Sequence, residues 1–501
     1  MPAAPPPRHP VTVVGVGADG WAGLTDPARA ALRAADVLIG GPRQLDLLPP
    51  ADAPDGCPGE RVPWPSPLRP AVPALLAAHR DRRIAVPASG DPMHFGIGRA
   101  LVEELGPEGV RVLPHPSSIS LACARLGWPV EDTEVVTLVG RPLSSLTAAL
   151  HPGRRALVLS AGADTPARVA ALLRERGFGP TRMRVLEQLG GPGERPVGGP
   201  DGTPAVGWDE PPGDPLNVVA LECRREPAAP GPRLGLVPGL PDDAYEHDGQ
   251  LTKRYVRAVT LAALAPAPGE LLWDVGGGAG SVAVEWLRAH PACRAVTVER
   301  DPERAARIAR NAENLGVPRL RVVTGTAPAA LSELPTPDAI FVGGGLTAPG
   351  LLDTCWEALP PGGRLVVNTV TLESEALLAE RLRRHGGELI RLQLGRARPV
   401  GGFTGWRQAM PVTQWSVTRP AAPRPAAPRP AAPRPAGPRP AGAGPTASEP
   451  VAPGPTGTSA PDASSAAPPA PSVAPGTSRP GTPPAPPASD GGPDTPGGPR
   501  P

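Results

Sequence analysis

The chain has 501 residues, and its 50 Lys and Arg against 48 Asp and Glu leave a formal charge of +2, which provides no basic footprint for nucleic acid. Its 78 prolines and 61 glycines far exceed ordinary usage, which excludes a chain that is globular throughout. The five cysteines form no CxxC pair, so neither a metal centre nor a disulfide framework is expected.

The opening "MPAAPPPRHP" lacks the apolar core of a signal peptide, and no apolar run approaches the roughly 18 residues of a membrane span. A cytoplasmic protein without membrane association is expected. A first region, 10–224, starts with the strand "VTVVGV" running straight into glycines, followed by helical "DPARAALRAA" with Thr25 or Asp26 as N-cap and Pro27 in the first turn. Strands recur at "DVLIG", "RIAVPASGD", "VRVLP", "EVVTLVG", "RALVLSAG", "MRVLEQLG" and "LNVVALE". Alternation with helical segments predicts a mostly parallel, helix-covered sheet, and so many strands predict two α/β lobes.

Pro and Gly interrupt every period in "RREPAAPGPRLGLVPGL", so residues 225–240 are expected to be a linker. As a flexible coil it would span roughly 20 Å, and as extended polyproline roughly 50 Å. The region 241–418 reads as one doubly wound, Rossmann-like α/β sheet, with strands at "LLWDV", "RAVTVER", "LRVVTG", "DAIFVGG", "RLVVNTV", "ELIRLQL" and "VTQWSV". From 419 to 501 the chain is mostly Pro, Ala, Arg, Gly, Ser and Thr without an aromatic, Leu, Ile or Met, so a disordered tail without a catalytic role is expected.

The glycine turn "WDVGGGAGS" does not fit the dinucleotide fingerprint, because Ser281 stands where the third glycine would fall. Its spacing is Asp274, Gly276, Gly278, Gly280, with Gly277 and Ala279 between. An acid at the strand end would repel a pyrophosphate but can balance a ligand carrying an ammonium. Glu299 ends the next strand, where a carboxylate accepts ribose hydroxyls. Together these favour S-adenosylmethionine over a nicotinamide cofactor.

The run "PGLPDD", "LTKRYVRAVTL", "WDVGGGAGS", "VERDPE", "GTAPAAL", "PDAIFVGGG", "LPPGGRLVVNTVTLE" and "RPVGGFT" resembles the decarboxylating precorrin methyltransferase domains of cobalamin biosynthesis. The resemblance implies that Thr252, Gly276 to Gly280, Glu299 and Ala327 contact S-adenosylmethionine. The first region, through "VVGVGADG", "ASGDPMHFGIG", "HPSSISLACARLGWP", "LSAGADTPARVAALL" and "PLNVVALE", is similar to the carbon-5 branch of the tetrapyrrole methylases. That resemblance implies a second S-adenosylmethionine site at Gly15, Gly17, Ser89, Gly90, Asp91, Gly98, Ser117 and Ser118. Both domains in this order resemble the fused precorrin-6Y C5,15-methyltransferase family, which implies methylation at carbons 5 and 15, decarboxylation of the ring C acetate, and precorrin-8 as product.

Transfer of a methyl from sulfonium to carbon asks the protein mainly for placement and desolvation, so no nucleophile is expected and the catalytic acid and base stay unassigned. His94, His115 and His247 are isolated in sequence. The conjugated macrocycle can take up the electrons released by decarboxylation. A substrate rich in carboxylates calls for cations, and Lys253, the only lysine, with Arg396 and Arg398, are the candidates. Other tetrapyrroles, RNA or protein as substrate, and a non-catalytic S-adenosylmethionine-binding scaffold, remain as alternatives; self-association and a partner of the tail are left open.

Overall fold

The structure, a computed structural model, describes residues 7–229 and 232–421. Of the expected tail, everything after Ala421 lies outside the described residues. In the first lobe β1 (Val11–Val16), β2 (Val37–Gly40), β3 (Glu60–Pro63), β4 (Ile84–Ser89) and β5 (Val110–Leu113) form a parallel sheet in the order β3-β2-β4-β1-β5. Strands β1, β2 and β4 are buried almost end to end, which is why they read as unbroken apolar runs. Val14 and Val16 face one core cluster while Val11 and Val13 face the other, so helices cover both sides of the sheet.

The second lobe departs from the expected parallel arrangement. Its strands β6 (Thr133–Thr137), β7 (Arg155–Leu159), β8 (Arg182–Glu187), β9 (Arg195–Val197), β10 (Thr203–Pro204) and β11 (Asn217–Glu222) follow the order β10-β8-β11-β7-β6, with β9 also on β8. Only β6 and β7 run parallel; β11 inserts antiparallel between β7 and β8. The physical reason is the connection: no α-helix separates β8 from β11, and without a crossover helix the returning chain pairs antiparallel.

In the second domain β12 (Leu271–Val275), β13 (Arg294–Glu299), β14 (Arg321–Thr324), β15 (Ala339–Val342), β16 (Arg364–Thr369), β17 (Glu388–Leu392) and β20 (Val412–Thr418) make a seven-stranded sheet. The order is β14-β13-β12-β15-β16-β20-β17, parallel except for β20, which runs antiparallel between β16 and β17. Between β17 and β20 the chain forms a separate two-stranded ribbon, β18 (Gly395–Val400) and β19 (Phe403–Gln408), that pattern reading did not anticipate. The helix Ser281–Ala289 is buried from Ser281 through Leu287, filling the space between the sheet and its neighbouring helices.

The segment expected to be a free linker is tied at both ends. Glu226 N donates to Gly177 O in the first domain, and Gly239 N and Leu240 N donate to Glu285 in the second. The domains also touch directly: a Cβ on Gly316 would lie 2.4 Å from Ala148 N, and Arg176 Nη2 donates to Asn314 Oδ1 at 3.2 Å. All described residues accordingly fall in one unit. Arg419, the first residue of the expected tail, is bound into the second domain, its guanidinium donating to the carbonyls of Trp356, Glu357 and Leu359.

Candidate functional site

Strand β12 turns Leu271, Trp273 and Val275 to one core cluster and Leu272 to the other, which puts Asp274 on the Leu272 side. The chain leaves the sheet through Gly276, Gly278 and Gly280 with φ of 74, 59 and 74°, a region that glycine enters without strain. Each glycine also has a wall beside it. A Cβ would lie 3.0 Å from Gly344 N at Gly276, 2.2 Å from Thr297 Cγ2 at Gly277, 2.9 Å from the Gln250 carbonyl oxygen at Gly278, and 2.6 Å from Ile308 Cγ2 at Gly280. Gly280 then caps the helix Ser281–Ala289, whose amino end faces the turn.

Asp274 is 1% exposed, and burial pushes its carboxyl up to about 7, although the Thr297 hydroxyl, 3.3 Å away, and the Ala283 backbone pull it down. A cation placed alongside would stabilise the ionised form. Glu299, also buried, accepts Gly278 N on Oε2 at 2.9 Å and Asp301 N on Oε1 at 3.1 Å. Each oxygen keeps a second lone pair, enough for two hydroxyls. The buried acid, the glycine cradle and the half-satisfied carboxylate are groups of the kind that fit S-adenosylmethionine, which carries a cationic amino acid end and two ribose hydroxyls.

A segment that sequence reading did not single out closes over this turn. Asn311 Nδ2 donates to Ala279 O and to Glu246 O, both at 2.9 Å, while Glu246 N donates back to Asn311 Oδ1 at 2.9 Å. On the same helix, Pro302–Asn314, Arg304 and Arg307 pair with Asp248 and Arg310 pairs with Glu246. These partners hold residues 246–250 where the Gln250 carbonyl meets Gly278. Thr252 follows directly, its carbonyl held by Arg257 Nη1. Ala327 lies just past β14, which pairs Thr324 with Glu299.

The proposed cations are placed differently. Lys253 is exposed at the N-cap of the helix Arg254–Leu264, adjacent to Thr252. Arg396 and Arg398 are exposed on the β18–β19 ribbon. The structure brings neither arginine into contact with the glycine turn.

In the first domain, the carboxyl ends of β1, β4 and β5 converge. A Cβ on Gly15 would lie 2.1 Å from Gly90 O and 2.6 Å from His115 N; on Gly17 it would lie 2.6 Å from His115 Cε1. Gly90, at φ 53°, packs on Pro116 and Ser117 and donates its amide to Val16 O. Asp91 shapes its own loop by accepting Met93 N at 2.9 Å, and Gly98 begins the helix Gly98–Leu105. Ser89 is exposed and accepts from Gln44 Nε2. Ser117 Oγ caps the helix Ser118–Leu126 by accepting Ser120 N, so its hydroxyl already has local work; Ser118 opens that helix. Sequence reading missed one pair: His115 Nε2 stands 3.4 Å from Asp19 Oδ2, and Asp19 Oδ1 is buried without a partner. Nothing in the sequence links two such distant residues.

A family described as tetrapyrrole (corrin/porphyrin) methylases matches residues 10–203, and one described as precorrin methyltransferase domain matches residues 243–419. A precorrin-6Y C(5,15)-methyltransferase (decarboxylating) from Sinorhizobium sp is 49% identical over 409 residues, covering 82% of this chain and 96% of that protein. The chain belongs to the decarboxylating precorrin-6Y C5,15-methyltransferase family. A protein of the same description from Mycobacterium tuberculosis is 48% identical, covering 82% of this chain and 100% of that one. The crystal structure of the C-terminal domain of precorrin-6Y C5,15-methyltransferase from Rhodobacter capsulatus is 52% identical, covers 37% of this chain and 100% of its own, and superimposes with a TM-score of 0.36. Among the described residues no helix is long and apolar enough to cross a membrane, and no group of three His, Cys, Asp or Glu could hold a metal ion.

Proposed function

We propose that this chain methylates precorrin-6Y at carbons 5 and 15 and removes carbon dioxide from the ring C acetate, with carbon-5 transfer in the first domain and carbon-15 transfer with decarboxylation in the second. S-adenosylmethionine is the methyl donor; when bound it supplies an electrophilic methyl group to an electron-rich ring carbon. The observation that carries the reading is the turn Gly276 to Gly280 between buried Asp274 and Glu299, closed over by the Gln250 carbonyl.

The protein's own part is positional. Asp274 faces the cationic amino acid end of the donor and Glu299 its ribose, and the atoms beside each glycine leave no room for a Cβ in the turn. Holding two reactants in register is worth on the order of 7 to 11 kcal/mol. In the first domain Gly15 and Gly17 likewise let the chain pass close to Gly90 and His115 where three strands end, with no room for a Cβ. Loss of carbon dioxide leaves an electron pair that the conjugated macrocycle accepts, so the second domain has to orient the acetate and shield it.

The test uses the full chain with the reduced tetrapyrrole and methyl-labelled S-adenosylmethionine. The parent should transfer two methyl groups and release one carbon dioxide, as the family's printed activity requires. Gly278→Val should abolish the second methylation and gas release while carbon-5 methylation persists; Gly15→Val should do the reverse. Loss of both methylations in either variant would overturn the division of labour.

A further inference from the structure

The loop that leaves β4 carries a strained aromatic residue. Phe95 has a φ of 58°, a left-handed backbone that a bulky side chain adopts only at a cost, and the residue is nonetheless 49% exposed. Strain of this kind persists where the surrounding structure enforces it, and it gathers at ligand sites. The loop is held in several places. Asp91 accepts Met93 N at 2.9 Å, and Gly98 N donates to Pro92 O at 2.9 Å. His94 Nδ1 stands 3.4 Å from the Oγ of Ser117, the residue on which Gly90 packs, and the Phe95 ring stacks on the His94 ring with centroids 5.1 Å apart. The aromatic side chain is thus fixed beside the strand ends of the first domain, half open to solvent.

The second lobe supplies a charge beside it. Arg141, in the loop after β6, places its guanidinium 5.9 Å from the centroid of the Phe95 ring, and that guanidinium donates to no acceptor among the described residues. Arg319 of the second domain lies within electrostatic range of Arg141 and is also positive, so the place attracts an anion. Met93 on the first loop and Val139 on the second are exposed as well. Exposed apolar side chains around one unpaired guanidinium match the flat, conjugated ring and the peripheral carboxylates of a tetrapyrrole. An aromatic face stacks on such a ring, and a guanidinium binds a carboxylate through paired N–H groups. We propose that Phe95 and Arg141 bind the tetrapyrrole in the first domain, Phe95 against the macrocycle and Arg141 on one of its carboxylates. The proposal rests on carbon-5 transfer taking place in this domain, and it gives the domain a substrate cation, whereas Lys253, Arg396 and Arg398 all belong to the other.

Steady-state methylation by the full chain tests this, with precorrin-6Y varied, methyl-labelled S-adenosylmethionine saturating, and the label at carbons 5 and 15 read separately by NMR. Phe95→Ala and Arg141→Gln should each raise the KM for carbon-5 methylation several-fold and lower kcat by less. Phe95→Tyr, which keeps the ring, should return KM to that of the parent. Phe95→Gly, free of strain at this φ, should melt no lower than the parent and still show the raised KM, which separates binding from stability. Isothermal titration with S-adenosylmethionine, in chains whose second site is blocked by Gly278→Val, should read the same first-domain affinity with and without these substitutions. Variants with the parent's KM, or a rise in KM matched by an equal loss of donor affinity or a lower melting midpoint, would overturn the proposal while carbon-5 transfer stands. A parent that places no label at carbon 5 would overturn the assignment of that transfer, and this proposal with it.

Discussion

Arg257 and Glu285 form an ion pair of 2.5 Å inside the second domain, with Arg257 0% and Glu285 4% exposed. Neither charge is idle. Glu285 also accepts Gly239 N, Leu240 N and the Tyr245 hydroxyl, and Arg257 donates to the carbonyls of Leu240 and Thr252. The stretch "PGLPDDAY" is thus fastened to the core by one pair, and the same arginine positions Thr252 beside the glycine turn.

Arg257→Met should therefore cost about 3 to 5 kcal/mol, the usual penalty for leaving a buried partner charge uncompensated. Arg257→Lys should recover little, because one ammonium cannot serve Glu285 and both carbonyls in a plane. Calorimetry on the full chain reads the stability, and donor titration reads an accompanying loss of affinity in the second domain. An unchanged midpoint would show that the pair is dispensable.

Asp274 makes the second site pH-dependent. Its carboxyl rises from an ordinary 3.8 to about 7 on burial, so between those values the folded state binds more protons than the unfolded one. The contribution of this group to stability is therefore full below about pH 4, falls as pH rises toward 7, and levels off above. Donor affinity should run the opposite way, rising toward pH 7 as the ionised form needed to balance an ammonium becomes populated, and flattening beyond. Subtracting the profile of Asp274→Asn isolates the effect; parallel profiles in parent and variant would sink it.

Asn311→Ala removes the bonds that join the turn at Ala279 to the overlying segment at Glu246. With about 0.5 to 1.5 kcal/mol for each lost hydrogen bond, donor binding to the second domain should become roughly ten-fold weaker or more, while the first domain binds unchanged. Isothermal titration of the full chain, with the first site blocked by Gly15→Val, measures it.

The end of the second domain is decided by Arg419. A chain stopped after Ala421 should melt like the full chain, because Arg419 keeps its bonds to Trp356, Glu357 and Leu359. One stopped after Thr418 exposes those carbonyls and frees Gly362 and Gly363 from the Arg419 backbone, for a loss of about 1 to 3 kcal/mol. Equal midpoints would show that the contacts carry no stability.

Long apolar strands were legible because burial on both faces leaves an unbroken run, as in "VTVVGV" and "LLWDV". The short, exposed β3 and the solvent-facing ribbon β18–β19 carry no such run, and turns around them dominate the pattern. The glycine turn, Asp274 and Glu299 could be read locally, since a strand end, a turn and the next strand end are fixed by a single βαβ unit. Alternation alone could not tell that β11 returns antiparallel, because neighbours in a sheet are chosen by the path of the connection and not by the strand's own residues.

What the sequence by itself determined, then, is the chemistry available: two glycine-lined strand ends, an acid at the first strand of the second domain, a carboxylate at its next, and a terminal stretch without core-forming residues. What only the tertiary structure decided is which distant groups share a low-dielectric space. Arg257 meets Glu285, Asn311 meets Ala279, and Asp19 meets His115. A side chain's hydrogen-bonding and charge state depend on burial and on neighbours brought from elsewhere in the chain, and neither quantity is a property of its position in the sequence.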